Sequence, residues 1–174
     1  MTIKPPKSLF SKALYFNNLE KRMKKTKLTI GRRDKANFPE LNLQDIDIKI
    51  DTGAYTSAIH CHQIGQKIIN GKQHVVFTLL DPSHPQYDNK EYSTKNFTEK
   101  RVKNSFGGSE KRFVVKTNIL LFGQEFKIRL SLSERGEMRF PILIGRKFLV
   151  GKFIVDPAKC DLSFENEVHS EKSI

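Results

Sequence analysis

Ile46-Asp47-Ile48-Lys49-Ile50-Asp51-Thr52-Gly53-Ala54 is the stretch on which the fold turns. Apolar and charged residues alternate as far as Ile50, the period-two pattern of a strand with one buried face. At Asp51 the alternation stops, and Thr52-Gly53 breaks the strand into a tight turn. A carboxylate in such a turn can be held by backbone donors, while a buried neighbour shifts its proton affinity. Thr52 is suited to lock the turn through its hydroxyl, and Gly53 admits backbone angles and close approach that a side chain forbids. Ser57 is near enough to bond the turn from below. Asp51 therefore has two readings at this point, a reactive carboxylate or a plain turn cap bonding backbone amides.

Outward from this stretch the signals are those of strands. His74 to Leu80 is mostly apolar, while Arg112 to Leu121 and Glu125 to Leu132 alternate β-branched or aromatic residues with polar ones. Asn70-Gly71, Phe122-Gly123-Gln124 and Arg135-Gly136 read as short hairpin connections, and Asp81-Pro82-Ser83-His84-Pro85 opens a longer polar excursion to about Asn89. Downstream, Ile142-Leu143-Ile144 runs into Gly145, after which Arg146 to Leu149 is the expected short helix. Phe153 to Asp156 and Leu162 to Phe164 read as closing strands. Many short strands with little helix predict an all-β, closed β-barrel. The expected organisation is a basic arm over residues 1–26, one domain over 27–165 and a frayed tail over 166–174.

Composition bounds the setting. A chain of 174 residues fits one domain with a real core, built from Phe, Ile, Leu and Val because Trp is absent. Cys61 and Cys160, the two cysteines, lie far apart and suit free thiols in a reducing cytoplasm. No apolar run reaches the length of a membrane span, and residues 1–27 lack the pattern of a secretory leader. The expected location is the cytoplasm. Net charge is +12, but residues 1–35 hold eleven Lys and Arg against Glu20 and Asp34, so +9 belongs to the arm and +3 to the rest. Such an arm draws in RNA, an anionic membrane surface or an acidic substrate, or is a solvated leader. Nucleic acid is the less favoured partner. Leu9, Phe10, Ala13, Leu14, Phe16 and Leu19 recur at helical spacing behind Ser8, consistent with a short amphipathic helix that docks on the domain or on a second subunit. Met23 stands as an alternative start.

Asp51-Thr52-Gly53-Ala54-Tyr55-Thr56-Ser57 followed by Leu143-Ile144-Gly145-Arg146-Lys147-Phe148-Leu149 resembles the retropepsin catalytic loop and the hydrophobic-hydrophobic-Gly segment that crosses behind it. With Ile30-Gly31-Arg32-Arg33, Phe38-Pro39-Glu40-Leu41 and Thr56-Ser57-Ala58-Ile59-His60, the likeness extends from about Lys27 to Asp156. It is similar to the bacterial retropepsin-like family commonly labelled ATP-dependent zinc proteases. The resemblance implies an acid-protease fold and an aspartic peptidase with Asp51, Thr52 and Gly53 as catalytic residues. Ala54, Ser57, His60, Gly145 and Arg146 would support them, Arg146 through a structural ion pair near a dimer seam unless it is a solvated helix residue. Phe106-Gly107-Gly108 would supply the flap over the substrate. Relatives are associated with ATP-grasp ligases that append glutamates to a ribosomal protein, which points to acidic tails as substrate.

An aspartic protease needs two carboxylates sharing one proton, one acting as base on water while the other donates to the scissile carbonyl. One Asp-Thr-Gly per chain therefore predicts a homodimer with an Asp51 from each subunit at a two-fold axis. Asp156 is a weaker candidate, since Pro157 after it marks a strand end. No metal or cofactor is expected. His60-Cys61-His62 sets three potential ligands in a row, but on a strand Cys61 points opposite to the two imidazoles. His74 and His84 follow at no ligand spacing, and neither a His-Glu-x-x-His helix nor a phosphate loop occurs. Against the peptidase stand two alternatives: a catalytically silent binding module for RNA or acidic peptides, and the zinc-dependent protease of the family label.

Overall fold

The computed structural model describes residues 27–103, 108–134 and 139–171. The expected arm, the Phe106-Gly107 part of the flap candidate and the Arg135-Gly136 turn lie outside them. Strands dominate: β1 (Leu28–Ile30), β2 (Arg33–Phe38), β3 (Leu43–Asp51), β4 (Ser57–Ile69), β5 (Lys72–Leu79), β6 (Glu91–Thr94), β7 (Phe97–Lys103), β8 (Ser109–Leu121), β9 (Gln124–Ser133), β10 (Ile142–Gly145) and β11 (Phe153–Val155). Helix is confined, among the described residues, to a 3-10 turn at Pro39–Leu41, α1 (Arg146–Leu149) and α2 (Leu162–Glu171). The fold is mostly β, as expected.

Nine strands form one sheet in the order β10-β3-β2-β8-β9-β4-β5-β6, with β7 on β8. β10 pairs with β4 as well as with β3, so the path through β3, β2, β8, β9 and β4 returns to its start. Period-two patterning explains the inside of this ring. Leu43, Ile46, Ile48 and Ile50 of β3, Ile119 and Leu121 of β8, and Leu130 and Leu132 of β9 join the core with Ile142 and Ile144 of β10. On the other face of β8 and β9 stand Lys116, Lys127 and Arg129, all exposed. β1 and β11 form a separate parallel pair.

Leu162 to Phe164, expected as a closing strand, instead begins α2, which runs on past Asn166 to Glu171. A distant carboxylate accounts for the difference. Asp34, buried on β2, accepts from the Ser163 amide at 2.9 Å and the Phe164 amide at 3.3 Å, capping the free N–H groups of the first turn. The Ser163 hydroxyl in turn accepts from the Phe122 amide at 2.6 Å. A partner 129 residues away cannot be read from Leu162-Ser163-Phe164 alone.

Candidate active site

β3 delivers Asp51 to the end of a buried strand, and the turn that follows is held by the Asp51 side chain itself. Its Oδ1 accepts from the Gly53 amide at 2.9 Å and the Ala54 amide at 3.1 Å. Oδ2 makes no hydrogen bond among the described residues, and the residue is half-buried. One oxygen is fixed by two amides and the other is unbonded among the described residues. The two bonds alone would satisfy a turn cap; the strand behind them is what a turn cap does not need.

That strand is β10. It runs parallel to β3, with Ile142 opposite Ile48 and Gly145 opposite Asp51, and antiparallel to the start of β4, with Leu143 opposite Ala58. Gly145 passes so close to the loop after Asp51 that a Cβ on it would lie 2.7 Å from the Thr56 carbonyl carbon, 2.8 Å from its oxygen and 2.9 Å from the Tyr55 oxygen. Only glycine fits this approach. The Gly145 amide donates to Ser57 Oγ at 3.0 Å in a buried bond, so the partner of Ser57 is the crossing strand rather than the Asp51 turn itself. Beyond Gly145 the Arg146 amide donates to Ala54 O and the Lys147 amide to Tyr55 O.

Arg146 bonds the loop backbone within its own chain. Among the described residues its guanidinium has no acidic partner; Nη1 donates instead to the carbonyls of Thr52 at 2.6 Å and Gly53 at 2.8 Å. Exposed at the start of α1, it clamps the turn from outside. Thr52 is exposed, and its hydroxyl makes no hydrogen bond among the described residues, so the turn is locked by Asp51 and Arg146 rather than by Thr52. Arg146 as a donor to the loop carbonyls is a role the residue pattern did not carry, because a carbonyl has no sequence signature.

His60 lies further along β4, on the face opposite Ile59 and Cys61, and is buried with neither ring nitrogen hydrogen-bonded among the described residues. Burial lowers its proton affinity below the usual histidine range, against a weaker opposing pull from Asp81, whose carboxylate is 3.9 Å away. No hydrogen bond or ion pair among the described residues joins it to Asp51. Cys61 faces the core, and burial pushes its thiol up to about 12. Both cysteines are free. His62 is exposed, while His74 and His84 bond to nearby backbone, His74 Nδ1 at 2.9 Å from Lys72 O and His84 Nδ1 accepting from the Gln86 amide. The zinc of the family label does not fit these residues: no three His, Cys, Asp or Glu converge among the described residues. Asp156 caps its own turn, accepting from the Ala158 amide at 3.0 Å. The flap candidate lies in the connection of the β7–β8 hairpin, where Lys103 pairs with Ser109 and Gly108 is the described residue of the three.

No helix among the described residues is long and apolar enough to cross a membrane. In sequence, the chain is 36% identical over 136 residues to a probable alpha-L-glutamate ligase of Desulfotalea psychrophila, covering 76% of this chain and 28% of that protein. It is 32% identical to a protein of the same name from Shewanella pealeana, covering 79% of this chain and 30% of the relative. The chain thus spans about a third of the length of these curated relatives. In structure it is similar to a crystal structure of a Legionella pneumophila protein of unknown function, with a TM-score of 0.61 at 27% identity over 78% of this chain and 98% of that one. Residues 19–165 match the RimB-like family, described as retropepsin-like aspartic endopeptidase RimB. With the Asp51 turn, the β10 crossing and a family match over most of its length, the chain belongs to the RimB-like family of retropepsin-like proteins.

Proposed function

We propose that the protein is an aspartic endopeptidase that works as a homodimer and trims glutamate-rich protein tails. The observation that carries this reading is the Asp51 turn: one carboxylate oxygen pinned by two amides, the other unbonded, and the whole loop backed by Gly145 and clamped by Arg146. The turn supplies one carboxylate per subunit, and the two-fold axis supplies the partner's Asp51. Two carboxylates a few ångströms apart share a single proton because both cannot be ionised at once. The ionised one takes a proton from a bound water as the oxygen attacks the scissile carbonyl; the protonated one gives its proton to the carbonyl oxygen. The tetrahedral intermediate then collapses, the C–N bond breaks, and a proton passes to the leaving amine.

The returning path of strand pairing supports a retropepsin-like barrel as the frame for this loop. The β7–β8 hairpin, between the two motifs in sequence, is its flap. A glutamate-rich substrate is suggested by the names of the relatives, glutamate ligases of which this chain matches a part. The setting is the cytoplasm, where two free thiols stay reduced.

Asp51→Asn tests the reading. The variant keeps the acceptor oxygen for the Gly53 and Ala54 amides and so keeps its fold, but it cannot act as acid or base. Wild-type protein should shorten a hexaglutamate-tailed peptide and the variant should not. Cleavage by folded Asp51→Asn protein would remove the aspartic mechanism, and binding without cleavage by the wild type would leave a silent binding module.

A further inference from the structure

A cavity of about 660 Å³ is lined by residues of β8 and β9, of α1 and of the Thr56–Ser57 end of the loop that follows Asp51. Asp51 does not line it. Six cations do: Lys100, Lys116, Lys127, Arg129, Lys147 and Lys152, against one carboxylate, Glu40. That carboxylate is already occupied, accepting from the Thr117 hydroxyl at 2.8 Å and from Asn118 Nδ2 at 3.4 Å. None of the six cations makes an ion pair among the described residues. Lys116 stands directly opposite Arg129 across the strand pair, with Lys127 opposite Asn118 two residues along. Like charges facing each other across antiparallel strands destabilise a sheet, so the arrangement calls for a counter-charge from outside the chain. Val114, Ile128 and Phe148 form apolar walls that focus the field of these cations.

We propose that this cavity is an exosite for a carboxylate-rich stretch of polypeptide, gripping a part of the substrate away from the bond that Asp51 cleaves. The spacing favours a peptide. Side chains two apart on one strand face repeat at about 6.6–6.8 Å, which is how Lys127 and Arg129 are set along β9. An extended acidic chain laid along β8 and β9 presents every second carboxylate at the same repeat. The cavity ends on Thr56 and Ser57, so a stretch held in it lies beside the loop that carries Asp51. Its role in cleavage rests on the peptidase reading above; its binding does not.

The test uses full-length Asp51→Asn protein, which binds without turnover, and fluorescent hexaglutamate followed by anisotropy. Lys116→Gln with Lys127→Gln should weaken binding about tenfold at low salt and less at high salt, as expected for lost charge complementarity. Lys72→Gln with Lys90→Gln removes the same charge from exposed positions outside the cavity and should leave affinity nearly unchanged. In protein with Asp51 intact, the cavity pair should raise KM and spare kcat. Equal loss in both double variants, or no loss in the cavity pair, would overturn the proposal. So would tripolyphosphate or oligouridylate binding through Lys116 and Lys127 when hexaglutamate does not compete. Because anisotropy needs no catalysis, a failed exosite leaves the Asp51 chemistry standing, and a failed peptidase assay leaves the exosite standing.

Discussion

Gly145→Ala adds one methyl group at the point where β10 crosses behind the Asp51 turn. The new Cβ would lie 2.7–2.9 Å from three backbone atoms of Tyr55 and Thr56, where ordinary contact begins near 3.4 Å. All three are main-chain atoms, so no side-chain rotation relieves the overlap, and the crossing strand or the loop must move by about half an ångström or more. Overpacking of this kind costs about 1–3 kcal/mol, and the rigid setting argues for the upper end. Any movement also strains the bond from the Gly145 amide to Ser57 Oγ. For a domain of this size, 1 kcal/mol shifts Tm by about 2–4 °C, so a drop of about 6–12 °C is expected at the upper end. Gly65→Ala on β4 is the matched control, since its Cβ would meet Val76 Cγ2 at an ordinary 3.5 Å and should leave Tm within about 2 °C. Differential scanning fluorimetry of the two variants decides the matter. Equal melting of Gly145→Ala and wild type would mean that the crossing is not tight and that Gly145 does not set the turn.

Two further outcomes follow from the same geometry. Ser57→Ala leaves the buried Gly145 amide without its acceptor at nearly unchanged volume, and should cost about 1–3 kcal/mol in urea unfolding; a cost below about 0.5 kcal/mol would show that the amide finds another partner. Burial lowers the His60 proton affinity from its ordinary value near 6.5, so in the window just below that value the unfolded chain binds more protons than the folded one. Stability from this residue is therefore present above about pH 6.5 and lost as pH falls through the window. His60→Leu should flatten the acid side of a urea-midpoint profile between pH 7.5 and 5, and an unchanged slope would remove His60 as its source.

How much of this was legible in the sequence follows from the range of each interaction. The strand into Asp51 and the helix after Gly145 rest on local patterning, and both stand where the residues put them. So does the Asn70-Gly71 hairpin turn between β4 and β5, whose residues both take positive φ. The helix at Leu162 was not legible, because its cap comes from Asp34 on another strand. Nor was the role of Arg146, since the acceptors it finds are carbonyls, which every residue carries. β7 is charged along most of its length and lacks the apolar alternation that marks a strand; pairing with β8 makes it one. The basic cavity was hidden most completely. Beyond residue 35 the chain is only +3, and the six cations are dispersed from Lys100 to Lys152 until the strand pairing gathers them.

The central claim is that one Asp51 per subunit becomes half of a shared-proton pair. A crystal structure of the full-length protein measures this directly, as the separation of the two Asp51 carboxylates across a two-fold axis. The account predicts a homodimer in which an oxygen of Asp51 lies about 2.5–3.2 Å from an oxygen of the partner's Asp51, a hydrogen-bond distance that requires one proton between them. Carboxylates held well beyond hydrogen-bond reach in a protein that cleaves its peptide, or an active monomer, would contradict it.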